Sequence, residues 1–234
     1  MEKKSYKVKY LEIFLIMSLI SLFVGKYFLE HSLEEKKPHL PLRKIISSLS
    51  EENPEEATVL VTALSLGFKE VVADFLFLQS IQYFGDWELG EEAKFKKIYP
   101  VIQAMVSIAP HFVPGYSFGA LALDEIGHVN EAIEILNKGI KNNPRAFELW
   151  LYRDFTIRLF KTHEYKKAIE GIKLALKQEG YPPILERILA YAYEKDGQTD
   201  KALIQWKKIL KSTRDLKIKE ICQRHIKRLT GGEN

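Results

Sequence analysis

Apolar positions divide this chain into four stretches of different character. Residues 13–25 are uncharged and apolar on every face. Residues 57–85 are again unusually apolar, but Lys69, Glu70 and Asp74 interrupt them. Between 110 and 214, apolar residues recur at helical spacing, in a pattern that itself repeats. Beyond 215, Ile218, Ile221, Cys222, Ile226 and Leu229 share one helix face, while Lys217, Lys219, Arg224, Lys227 and Arg228 lie mostly on the other.

Small residues measure the period of the third stretch. Ala168 follows Ala132 by 36 residues, and Ala202 follows Ala168 by 34. Such periods belong to solenoids of helical pairs, in which each unit buries its apolar face on its neighbours. The alanines sit near the start of each second helix, where a small side chain lets two antiparallel helices approach closely. Gly127 and Gly197 end first helices, where a positive φ is needed. Asn130 and Asp200 are placed to cap second helices. Pro110, Pro144 and the pair Pro182-Pro183 fall between units, where helices stop.

One copy runs through Tyr116, Gly119, Ala120, Leu123, Gly127, Ala132, Leu136, Gly139 and Pro144. A second has Tyr152, Phe155, Leu159, Tyr165, Ala168, Ile172 and Ala175; a third has Leu189, Ala190, Tyr193, Gly197, Ala202 and Trp206. This pattern resembles the tetratricopeptide repeat (TPR) family. The second copy departs from it at Thr156, His163 and Gly180, and the first at Gly139. Residues Leu66-Gly67-Phe68, Ala73-Asp74 and Gln82-Tyr83-Phe84-Gly85 are similar to those of membrane-anchored bacterial TPR proteins. The resemblance implies an all-α, TPR-like helical-pair solenoid, and repeat walls that hold proteins or peptides.

The amino terminus adds an anchor. The span 8–29 is 22 residues long, about 33 Å of helix, which suffices for the ~30 Å hydrocarbon layer. No Ala-x-Ala-like site and no lipidation cysteine follow it, so it reads as an uncleaved single transmembrane helix. Lysines flank both ends in near-equal number. The compact cluster Lys3, Lys4, Lys7 and Lys9 favours the amino terminus inside, with the repeats on the extracytoplasmic side of the inner membrane. The expected organisation is an anchor at 1–31, a linker at 32–53, an irregular helical pair at 54–109, three TPR-like repeats at 110–214, and a capping helix and tail at 215–234. In the irregular pair, 57–85 forms the first helix, closed by Tyr83-Phe84-Gly85, and 94–108 the second.

Composition then narrows the chemistry. A surplus of four positive charges over 234 residues is mild and gives no ground for a nucleic-acid partner. Cys222 is alone, so neither an internal disulfide nor a cysteine metal cluster is expected. The six histidines are scattered without a His-x-x-x-His pair, and no phosphate-cradling loop or nucleophile elbow is present. No cofactor, metal or small-molecule substrate is therefore expected. The first helices should line a concave wall bearing Trp150, Arg153, Asp154, Arg187 and Tyr191 as a partner-binding set. Arg153 and Arg187 stand 34 residues apart, at equivalent places one unit apart. Two guanidiniums so spaced could grip an acidic strand, unless Asp154 and Glu194 neutralise them. The expectation is a non-catalytic, membrane-anchored scaffold for a protein or peptide partner, such as an assembly factor of an envelope complex. The alternative is an accessory hydrolase or transferase using Asp74 or Asp154, with Asp74 as a buried acid of raised pKa.

Overall fold

The computed structural model describes residues 61–64 and 66–231, and the expected anchor and linker lie outside them. Among the described residues all regular structure is helical. The elements are α1 (Lys69–Gly85), α2 (Glu91–Ile108), α3 (Val113–Glu125), α4 (Val129–Asn142) and α5 (Phe147–Trp150). Then come a π-helix, π1 (Leu151–Lys161), and α6 (Tyr165–Ala175), α7 (Ile184–Lys195), α8 (Thr199–Ser212) and α9 (Leu216–Leu229). No helix among the described residues is long and apolar enough to cross a membrane.

Consecutive helices pair as α1 with α2, α3 with α4, π1 with α6 and α7 with α8, and α9 packs on α8. The first member of each pair also touches the first member of the next, so α1, α3, α5–π1 and α7 line one wall. The core runs without interruption from Val72 to Cys222.

Left-handed turns set the boundaries. Gly67, Gly127 and Gly197 have φ of 86°, 86° and 74°. In each case the residue after the glycine donates its N–H back to a carbonyl five residues earlier: Phe68 to Ala63 (2.9 Å), His128 to Leu123 (2.8 Å) and Gln198 to Tyr193 (2.9 Å). These are Schellman closures, and the glycine takes the backbone conformation a Cβ would strain. Gly67 therefore breaks the long apolar run, and the first helix of the irregular pair begins at Lys69 rather than 57. Lys94 donates to the carbonyl of Phe84 (2.8 Å), holding the far end of α1 against the start of α2. The loop between them spans only 86–90.

His163 occupies the place of the turn glycine in the middle unit and adopts φ 56°. The turn is wider there, because Thr162 donates to Ile157 and Glu164 to Arg158 (2.8 and 2.7 Å), continuing the longer reach of π1. The expected side-chain caps do not form. α4 starts at Val129 and α8 at Thr199, so Asn130 and Asp200 fall inside the first turn instead of before it. Of the second helices and α9, the one with a side-chain cap is α9: Asp215 Oδ1 accepts from the backbone N–H of Lys217 (2.8 Å) and Ile218 (3.2 Å).

Ala132, Ala168 and Ala202 are fully buried at the helix crossings. Gly139 is tighter still, since a Cβ there would lie 2.8 Å from both the Leu149 methyl and the Tyr116 ring. Tyr116 is itself fully buried and accepts from Asn142 Nδ2 at 2.9 Å, so its ring has little freedom to retreat. Gly139→Ala is expected to destabilise the fold by about 1–3 kcal/mol. Each kcal/mol should lower the thermal midpoint by about 2–4 °C, and an unchanged melting curve would contradict the crossing described.

Candidate partner-binding groove

The five residues expected to form one binding set separate into two groups. Trp150, Arg153 and Asp154 are buried, with exposures of 6, 7 and 0%. Trp150 turns its indole N–H to the carbonyl of Pro144 (3.0 Å), and the Arg153 guanidinium lies 4.9 Å from the Trp150 ring centroid. Arg153 donates from Nε and Nη2 to the two carboxylate oxygens of Asp154 (3.0 and 2.8 Å), and from Nη1 to Asn137 Oδ1 (2.7 Å). Arg158 adds a third bond to Asp154, Nη1 to Oδ1 at 2.8 Å. Arg153, Asp154 and Arg158 thus form a closed ionic cluster inside the stack, and the first two are not available to a partner on the wall. Burial pushes the Asp154 pKa up, against the downward pull of both guanidiniums.

A neighbouring ionic contact ties α3 to π1. Asp124 accepts from Lys161 Nζ at 2.5 Å and from the Tyr152 hydroxyl at 3.2 Å. Burial and that carboxylate hold the Tyr152 phenol above its ordinary range.

Arg187 and Tyr191 remain on the wall, both half-buried on α7. They line a groove of about 280 Å³ with Phe155 and Phe160 of π1, Ile184 and Ile188 of α7, Trp206 of α8, and Ile221 and His225 of α9. Phe160 stacks on Tyr191 (centroids 5.8 Å apart, 18° between planes), and Phe155 meets Phe160 edge-on at 4.8 Å. Arg187 makes no hydrogen bond or ion pair among the described residues. Glu194 does not neutralise it. That carboxylate is taken by Trp206 Nε1, by His225 Nδ1 at 2.7 Å and by Arg228.

The different fates of the two arginines follow from their neighbours. After Arg153 comes Asp154, whereas after Arg187 comes Ile188. Asn137, which completes the shell of Arg153, has Lys173 at its equivalent place 36 residues on. Lys173 Nζ lies over the Tyr193 ring at 5.6 Å and offers no acceptor.

Phe155 carries repeat spacing and reads from sequence as core, and Ile221 reads as part of a cap, while Phe160 and His225 carry no such signal. Their convergence depends on how α9 folds back, which no local spacing encodes. A second recess, about 340 Å³, lies at the turns around His163, Tyr165 and Asp196. Its Lys167 and Glu164 already pair with each other.

Asp74 is exposed on α1 and has no hydrogen bond or ion pair among the described residues, so the expected buried acid is not formed there. Glu125 and His128 stand three residues apart, a spacing seen in metal sites, but His128 stacks on Phe95 at 3.6 Å. Among the described residues no group of three or more His, Cys, Asp or Glu converges on a point.

Asp154→Ala would leave two arginines without their shared carboxylate. It is expected to cost about 3–5 kcal/mol, read as a lowered urea midpoint. A loss below about 0.5 kcal/mol, the ordinary range for surface changes, would show that the cluster contributes nothing.

No family model matches the chain, and no curated protein matches it. Among solved structures, it is similar to the crystal structure of TTC0263, a thermophilic TPR protein of Thermus thermophilus. The two share 23% identity over 72% of this chain and 96% of that one, with a TM-score of 0.42. The helical-pair assignment rests on the residues and contacts described above.

Proposed function

We propose that this chain is a non-catalytic scaffold of TPR type, anchored in the inner membrane by residues 8–29, with its repeats on the extracytoplasmic side. It holds a protein partner there, as an assembly factor for a larger envelope complex would. The observation that carries this reading is Arg187, a guanidinium at an aromatic groove with no ion pair among the described residues. Charge-assisted hydrogen bonds from a planar guanidinium suit a carboxylate bidentately. The apolar walls of Phe155, Phe160 and Tyr191 suit a large side chain beside it. The preferred ligand is therefore a segment pairing an acidic residue with a bulky apolar one.

The accessory-enzyme reading has weaker support, since Asp154 is saturated by arginines and Asp74 is exposed with no hydrogen bond or ion pair among the described residues. Both residues are better explained without turnover.

Peptide arrays probed with the purified chain test the proposal. Peptides with adjacent acidic and aromatic residues should be selected. Arg187→Ala should weaken their binding about ten- to hundredfold, the effect of one charged hydrogen-bonding group. Arg187→Lys should recover only part of it, and Asp74→Asn should leave it unchanged. Equal binding by wild type and Arg187→Ala would refute the groove as the site.

A further inference from the structure

Charge is unevenly distributed along this chain. Residues 199–231 hold ten Lys and Arg against three Asp and Glu, a surplus of seven in a chain whose total surplus is four. The excess falls on α8 and α9. On α8, Ala202, Trp206 and Ile209 are buried, and the opposite side presents Lys201, Ile204, Lys208 and Lys211 at i, i+3, i+7 and i+10. On α9, with Cys222 buried, Lys217, Arg224 and Lys227 repeat that spacing, and Glu220 takes the i+3 place. Arg214 is exposed in the turn between the two helices.

Few of these cations are neutralised. Lys208 pairs with Glu186 at 3.0 Å, and Arg228 pairs with Glu194. The side chains of Lys207, Lys211, Arg214, Lys217, Arg224 and Lys227 have no hydrogen bond or ion pair among the described residues. Of the acids on the hairpin, Asp215 is engaged in the α9 cap, which leaves Asp200 and Glu220.

An apolar element accompanies the charge. Leu216 is 72% exposed between Arg214 and Lys217, and Ile204 is 68% exposed among the lysines of α8. Interfacial segments combine these two features: apolar side chains enter the acyl boundary while flanking cations meet headgroup phosphates. Single-stranded nucleic acid is bound instead on exposed aromatic platforms, and the outward side of this hairpin has none, because Trp206 is buried.

We propose that the α8–α9 hairpin docks on an anionic lipid surface, with Leu216 entering the interface and Lys211, Arg214 and Lys217 contacting headgroup phosphates. The contact is separate from the groove, and it does not require the amino-terminal anchor.

The test uses the full chain carrying Leu216→Cys, labelled with a polarity-sensitive fluorophore. Cys222 is fully buried and burial pushes its thiol pKa up, so labelling goes to the introduced thiol. Vesicles of phosphatidylcholine alone are compared with vesicles containing phosphatidylglycerol. A blue shift, with quenching by spin-labelled lipid, is expected only with phosphatidylglycerol. It should fade as salt is raised and be lost in K211E/R214E/K217E, whose helical content should stay unchanged because all three side chains point outward. An equal signal on both vesicle types, or one that survives triple charge reversal, would overturn the proposal. So would a label that responds to a DNA or RNA oligonucleotide and not to phosphatidylglycerol vesicles, which would reassign the patch to nucleic acid.

Discussion

The middle of the stack is governed by the contact between a carboxylate and a missing side chain. A Cβ on Gly171 of α6 would lie 2.1 Å from Asp154 Oδ2 and 2.4 Å from the carboxyl carbon. Nothing larger than a hydrogen fits there. The middle unit thus carries an ionic contact in its core, with two arginines in attendance and a glycine opposite.

That exchange has consequences for the helix that bears it. π1 carries Asp154 and Arg158, and its Arg153 and Asp154 are buried inside the core. A wider helical ladder changes which side chains point at α6 and which at α7. In this chain it sends the charged residues inward toward Gly171, and Phe155 and Phe160 toward the groove. A buried ionic cluster is weak evidence for net stability, because desolvation offsets much of the Coulombic gain. Its effect here is positional: the carboxylate sits where Gly171 of α6 leaves room for it.

Much of the fold was legible in the sequence because the repeat is written in residues with steric meaning. Buried alanines at a period of 36 and 34 mark crossings, and glycines five residues before them mark left-handed turns; His163 stands at that place with φ 56°. The break at Gly67 was legible by the same rule, since Val72 follows it at the same interval and is buried, yet the apolar run around it masks the signal. The candidate wall was less legible. Equal spacing made Arg153 and Arg187 look alike, and only their surroundings, with Asp154 and Asn137 around the first, separate them. The π-helix has no composition signature, and the return of α9 over the wall is a tertiary event.

A double-mutant cycle between Gly171→Ala and Asp154→Ala tests the central contact most directly. If the carboxylate fills the space that a Cβ would need, the glycine substitution should cost far less once Asp154 is gone. The two changes should then couple by about 0.5–3 kcal/mol in denaturant unfolding, the range for residues in contact. Strict additivity, with Gly171→Ala costing the same in both backgrounds, would mean that the helices do not meet at this point.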